Sequence, residues 1–178
     1  MRAEKPLPVK YFIGALYSDE NLLKQAMTQC ELRIGSIDLK SAAFPFDMTA
    51  YYESEMGTSI LRMMFSFETL HSPGELARLK VLCNEIEDDF SMNSLRKINL
   101  DIGYMDFHKL VLASAKYNGQ KIYLDQGIYA DTTLIFESGK FKALENTFPD
   151  FKSGRYDSAL LEFRNKYKSQ LKRAIEEN

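Results

Sequence analysis

A chain of 178 residues with 45% hydrophobic and 12% aromatic content has the size of one domain and apolar material for one substantial core, so a single α+β domain over 1–178 is expected. Twenty-five acidic residues against 23 basic ones leave a net charge of −2. Composition therefore gives no general attraction for a phosphate backbone or an anionic membrane, and neither nucleic acid nor membrane is expected as a partner.

Charged residues are spread along the chain, as in an ordinary globular protein and unlike a disordered one. The start MRAEKPLPVK lacks the apolar stretch of a secretory signal, and no window reaches the roughly 18 apolar residues that span a bilayer. Cys30 and Cys83 each fall in an apolar helical stripe with no CxxC neighbour, which suits a reducing compartment. A cytoplasmic location is the expectation.

Val9 to Leu16 (VKYFIGAL), between Pro8 and Ser18, reads as a central strand. From Asp19, the apolar positions Leu22, Leu23, Ala26, Met27, Cys30 and Ile34 form one helix face, with Gly35 as the stop. Ser36 to Phe46 reads as extended, although Pro45 cannot donate to a ladder. Asp47 to Gly57 is a short helix or a structured loop ahead of a strand over Ile60 to Phe67. Ser72, Pro73 and Glu75 spell a capping box for a helix running to about Phe90, with Leu76, Leu79, Cys83, Ile86 and Phe90 on its buried side. Ile98, Leu100 and Ile102 alternate with Asn99, Asp101 and Gly103 in a strand over Lys97 to Tyr104 that has one polar face. Asn118-Gly119 predicts a hairpin joining Lys109–Lys116 to Lys121–Leu124, and Ser138-Gly139 a second between Ile128–Phe136 and Lys140–Leu144. An amphipathic helix from about Asp157, with the stripe Leu160, Phe163, Tyr167, Leu171 and Ile175, closes the chain. Its basic residues, Arg164, Lys166, Lys168, Lys172 and Arg173, read as a solvated face.

The order β, α, β, β, α, β up to Tyr104 predicts a ferredoxin-like (split βαβ) antiparallel sheet with two covering helices, extended by the hairpins and the final helix.

No GxxxxGK, GxGxxG, GxSxG or HExxH occurs, so phosphate loops, dinucleotide fingerprints and two familiar hydrolase motifs are excluded. With only His71 and His108, a zinc site of several histidines is excluded as well, and a cysteine-based one would pull Cys30 and Cys83 from their core stripes. No metal site is expected, and no cofactor is assigned. His71 reads as a surface turn residue. His108 stands two positions from Asp106, a spacing that would suit a His-Asp pair, though an exposed turn explains it more simply.

The constellation that carries most chemistry is the polar face of the strand at 97–104 with its successors. Asn99, Asp101, Tyr104, Lys109, Lys116, Tyr123 and Tyr129 are candidate ligand-binding residues, and Asp125 and Asp131 join them if 123–131 is one continuous strand. Tyr51 and Tyr52, from the 47–57 segment, would cover that surface as a lid if the segment is not simply packed, which is its plainer reading. Tyrosines with lysines and carboxylates suit a small polar ligand, rings stacking and charged tips fixing orientation. The plainer reading is a solvated sheet face with cross-strand pairs worth about 0.2–1 kcal/mol each.

PVKYFIGALYSDE from Pro8, FPFDMTAYYESEMG from Phe44, NLDIGYMD from Asn99, KLVLASAK from Lys109, IYLDQGIYA from Ile122 and TFPDF from Thr147 together resemble a family of uncharacterised bacterial proteins, the domain of unknown function 4416. The resemblance covers nearly the whole chain. It implies a compact cytoplasmic protein of about this length and brings no established activity, substrate or cofactor.

The leading expectation is an uncharacterised protein whose polar sheet face binds a small polar or nucleotide-like ligand. One rival is an interaction module, such as a homodimer, assembling through a sheet edge or the C-terminal helix. The other is a hydrolase with Asp101, Asp106 and Asp125 around a divalent cation.

Overall fold

Val9–Tyr17 (β1) is buried along its whole length, because both of its faces are covered. Tyr11, Ile13 and Ala15 face one core, in which α1 (Glu20–Arg33) contributes Ala26, Met27 and Cys30. Phe12 faces a second core on the opposite side of the sheet. The computed structural model describes residues 2–176. It is a mixed α/β fold with five α-helices and a large antiparallel sheet.

The extended segment after α1 divides into β2 (Ile37–Lys40) and β3 (Phe44–Pro45), both paired with β4 (Leu61–His71). Between them and β4 lies α2 (Glu53–Met56), one helical turn. The capping box predicted at Ser72 takes another form. Pro73–Glu75 is a 3₁₀ turn and Ser72 Oγ accepts from the Gly74 amide, while the Glu75 carboxylate pairs with Arg78 and also accepts from the Ser72 backbone amide. The helix α3 (Leu76–Asp89) follows, with Phe90 just beyond its end.

Along the sheet the order is β2-β4-β1-β5-β6-β8-β7, where β5 is Ile98–Met105, β6 is Lys109–Ser114, β7 is Ile122–Asp125 and β8 is Ile128–Glu137. β9 (Lys140–Ala143) pairs with the far half of β8. Ser138 and Gly139 turn β8 into β9 with φ of 52° and 81°, as a tight turn with positive φ requires. Asn118-Gly119 does not join paired strands, because β6 and β7 both pair with β8. The hairpin turn lies instead at Gln126-Gly127, with φ of 53° and 76°. The stretch 123–131 is therefore two antiparallel strands and not one.

α1 and α3 cover the face that carries Tyr11, Ile13, Leu100 and Ile102. After α4 (Pro149–Lys152), α5 (Asp157–Glu176) covers the other, setting Leu160 and Phe163 against Phe12, Met64, Leu110 and Leu134, with Tyr167 and Leu171 also buried. Ile175, assigned to the same stripe, is exposed. The charge inside β1, Lys10, has no exposed surface, and all three of its N–H donors are used: Asp38 at 2.7 Å, the Phe67 carbonyl at 2.8 Å and Gln170 at 2.9 Å. One ammonium thus fastens α5 to three strands.

Cys30 and Cys83 are free thiols with no exposed surface. Burial pushes Cys30 up to about 12 and Cys83 well above its ordinary value. Only the thiolate attacks, so neither is expected to react with a thiol reagent at pH 8 in the folded protein, and both should react in denaturant. A thiol count by absorbance in the two conditions checks this; prompt labelling of the native protein would contradict it.

Candidate functional site

The β1–β4 and β1–β5 registers arrange one end of the α5 face in rows. Arg62, Leu16 and Asn99 lie across neighbouring strands, and Met64, Gly14 and Asp101 form the next row. Gly14 has no side chain to fill the space between Met64 and Asp101. Arg62 runs through that space: a Cβ on Gly14 would sit 3.6 Å from Arg62 Nη1. From there Arg62 Nη2 donates to Asp101 at 2.9 Å, and Nη1 lies 3.2 Å from Asp150.

Arg62 is only 4% exposed and lies near the rings of Phe46, Phe151 and Tyr156, with Cζ 5.1–5.7 Å from their centroids. Burial opposes its charge, but Asp101 and Asp150 outweigh burial and hold its pKa above the ordinary arginine value. Nε and Nη1 still lack a hydrogen bond. Asn99 donates to the other oxygen of Asp101 at 2.8 Å and accepts from Arg96 at 3.1 Å, and Arg96 pairs with Glu55 of α2 at 2.8 Å. A continuous polar chain thus crosses the floor of the site.

The floor is open on its β6 side. β5 and β6 pair only where Gly103–Met105 meets Leu110–Leu112. Beyond Gly103 the strands part, and α3 supplies what the ladder lacks: Glu87 accepts from the Leu100 amide at 2.7 Å, and Lys80 donates to the Leu100 carbonyl at 3.0 Å. Into this opening falls a cleft of about 560 Å³. Its walls are the 46–52 segment on one side, Phe148–Phe151 on another, and Ser114, Lys116, Lys121 and Asp131 on the β6 side. Rings dominate the first two walls: Tyr51 and Tyr52 meet edge to face at 4.9 Å, as do Tyr52 and Phe46 at 5.9 Å. Burial is the main cause of a raised Tyr52 hydroxyl pKa, so it stays a neutral donor.

Five of the nine candidate residues, Tyr51, Tyr52, Asn99, Asp101 and Lys116, line this cleft. The other four do not. Tyr104 is an odd number of residues from Asn99 and Asp101, so the strand turns it to the opposite face, where it meets Tyr11 at 5.8 Å. Lys109 is held by Asp106 in the β5–β6 turn. Tyr123 and Tyr129 meet edge to face at 5.4 Å across the β7–β8 hairpin, outside the cleft walls. His108 forms no side-chain pair with Asp106, which instead accepts the backbone amides of His108 and Lys109. His71 ends β4 half-buried beside Tyr11, with Nδ1 3.5 Å from Glu75.

Asp101, Asp106 and Asp125 lie apart, on the floor, in the β5–β6 turn and beside the β7–β8 turn. Among the described residues no group of three or more His, Cys, Asp or Glu is placed to hold a metal ion. No helix among them is long and apolar enough to cross a membrane.

Sequence reasoning missed Arg62, Lys80, Arg96, Lys121 and Asp150. Two of these were signalled: Arg62 is a lone charge in an apolar strand, and Lys80 falls on the buried side of α3, with Glu87 seven residues on.

No curated protein and no solved structure matches the chain significantly. Residues 7–167, which span every element around the cleft, match the profile of one family, and the chain belongs to it: Domain of unknown function (DUF4416).

Proposed function

We propose that the chain binds a small polar or nucleotide-like ligand in the cleft between the 46–52 segment, Phe148–Phe151 and β6. The observation that carries this reading is the cleft itself: about 560 Å³, with a buried arginine and carboxylates in its floor and aromatic rings on its walls. Pockets for small molecules have this size and this mixture of apolar wall and few convergent polar groups. Arg62 adds to it, because its Nε is buried with neither a hydrogen bond nor an ion pair, a cost that a protein built only for stability would remove.

A thermal-shift screen against nucleotides, sugar phosphates, amino acids and sugars tests the proposal, since a ligand that binds only the folded state raises its melting point. The expected result is a reproducible shift with at least one compound, lost in Tyr51→Ala, an exposed wall residue whose removal leaves the fold intact. A shift that survives in Tyr51→Ala would place binding elsewhere.

We also read the first half of the chain as a ferredoxin-like unit. In support, β2-β4-β1-β5 is the strand order of a split βαβ motif, and α1 and α3 pack on the same face. The free, buried thiols support a cytoplasmic location.

A second reading, assembly into a homodimer through a sheet edge, is favoured by β7. It is an edge strand exposed throughout, with Ile122 68% and Tyr123 57% exposed. Assembly through α5 has less support, because its apolar stripe is already spent on the sheet. Light scattering after size-exclusion chromatography separates the cases: a monomer at high concentration would remove the edge-pairing reading.

A further inference from the structure

The two ends of the cleft differ in chemistry. At the floor, Arg62 lies between Asp101 and Asp150, Arg96 pairs with Glu55 and Lys80 with Glu87, so every cation there has a carboxylate and the floor offers hydrogen-bond donors and acceptors. The β6 end differs. The Lys121 side chain is only 8% exposed, yet its ammonium stands 3.6 Å from Asp131. It makes one short hydrogen bond, to Ser114 Oγ at 2.9 Å, and a long one of 3.4 Å to the Lys116 carbonyl. A buried ammonium has three donors to satisfy, and this one is incompletely compensated.

Lys116 has no carboxylate partner among the described residues. Its ammonium lies 4.4 Å from the Tyr51 ring centroid and bonds the Tyr51 hydroxyl, which leaves its charge at the mouth of the cleft. The 115–121 loop brings the two cations together through its turn at Asn118–Lys121 and the reach of Lys121 back to the Lys116 carbonyl. Rings of Tyr51 and Phe148 stand against these two lysines, so the cationic end continues directly into aromatic walls.

We infer that the ligand is a phosphate monoester of a flat ring compound, of the nucleoside monophosphate class, with its phosphate at Lys116 and Lys121 and its ring directed between the aromatic walls toward the Arg62–Asp101–Asn99 floor. The inference rests on the ligand-binding reading above and narrows it. A phosphate supplies the negative charge that the one carboxylate there, Asp131, leaves unmet between two lysines, and a heterocycle has both the flat face for the walls and the edge donors and acceptors for the floor.

Calorimetric titration of the full chain with ribonucleosides, their monophosphates and inorganic phosphate tests this. The expected result is at least one monophosphate bound about tenfold or more tightly than its nucleoside, the order of one charge-assisted contact. Inorganic phosphate alone should bind far more weakly than the ester. In Lys116→Glu, an exposed position, the preference for the ester over its nucleoside should vanish.

Equal affinity for nucleoside and monophosphate would overturn the inference, and so would inorganic phosphate binding as tightly as the ester. A preference that persists in Lys116→Glu would overturn the placement. If an unphosphorylated sugar or amino acid gives a Tyr51-dependent shift and no monophosphate binds, the inference fails while the cleft remains a binding site. If nothing binds in either experiment, both readings fall.

Discussion

Gly103→Ala is expected to destabilise the protein by about 3 kcal/mol, the upper end of the range for forcing extra volume into a packed core. Gly103 has no unusual φ; its requirement is for space. A Cβ built there would lie 2.4 Å from the Val111 carbonyl oxygen, 2.8 Å from Leu112 Cδ2 and 3.1 Å from Phe12 Cζ. The nearest of these is backbone and cannot swing away as a side chain would. Gly103 pairs with Phe12 on one side and Leu112 on the other, so relief must come from moving β6 or β1, and β1 is locked by its own pairing with β4.

For a chain of this size the loss corresponds to a fall of about 6–12 °C in melting temperature. The control is Gly119→Ala, where nothing lies within 4 Å and φ is not positive. It should be neutral or slightly stabilising, by up to about 1 kcal/mol, because it restricts only the unfolded chain. Denaturant unfolding of the two variants gives the comparison, and equal midpoints would contradict it. Gly103 is also the last position at which β5 and β6 pair before the cleft opens, so displacing β6 there should weaken any ligand of the cleft.

The elements whose signals are local were legible in the sequence. β1, α1, the Ile98 to Met105 strand and α5 follow from runs and periods that each segment carries by itself, and the Ser138-Gly139 turn follows from the φ its residues tolerate. The errors came where partners decide. Asn118-Gly119 is a good hairpin turn, but it needs β6 and β7 to be neighbours, and β8 pairs with both. Ser72 begins the helix as its capping pattern predicts, but Pro73–Glu75 tightens into a 3₁₀ turn, so Ser72 Oγ takes the Gly74 amide.

The cleft was half legible for the same reason. Asn99 and Asp101 announce a polar face by alternation, and Tyr51, Tyr52 and Lys116 were selected by residue type. Arg62 and Asp150 are 88 residues apart and meet only because Gly14 leaves room between strands and α4 folds back over the sheet. The strand parting beyond Gly103 has no signature in β5 or β6; its trace lies in α3, as two charges on a buried face.

Those two charges carry the second large effect. Glu87→Ala is expected to cost about 3–5 kcal/mol, the range for breaking a buried ion pair by removing one member. Lys80 is 7% exposed and Glu87 4%, and their charged atoms lie 3.3 Å apart. Removing the carboxylate leaves an ammonium in the core whose next partner is the Leu100 carbonyl, and it also orphans the Leu100 amide. Lys80→Met should cost less, because Glu87 keeps the Leu100 amide at 2.7 Å and Arg96 at 3.6 Å.

In many proteins an apolar replacement of both partners restores most of the loss. Here it should not. The pair stands in for the missing β6 ladder, so Lys80→Met combined with Glu87→Met leaves both the amide and the carbonyl of Leu100 without partners, each costing about 1–3 kcal/mol when buried. The double variant should therefore be less destabilised than the sum of the single ones, yet remain clearly less stable than the native chain. A double-mutant cycle by denaturant unfolding measures this directly. Full recovery in the double variant would mean that Leu100 finds other partners, as it would if β6 closed onto β5, and the cleft between them would be lost with the pair.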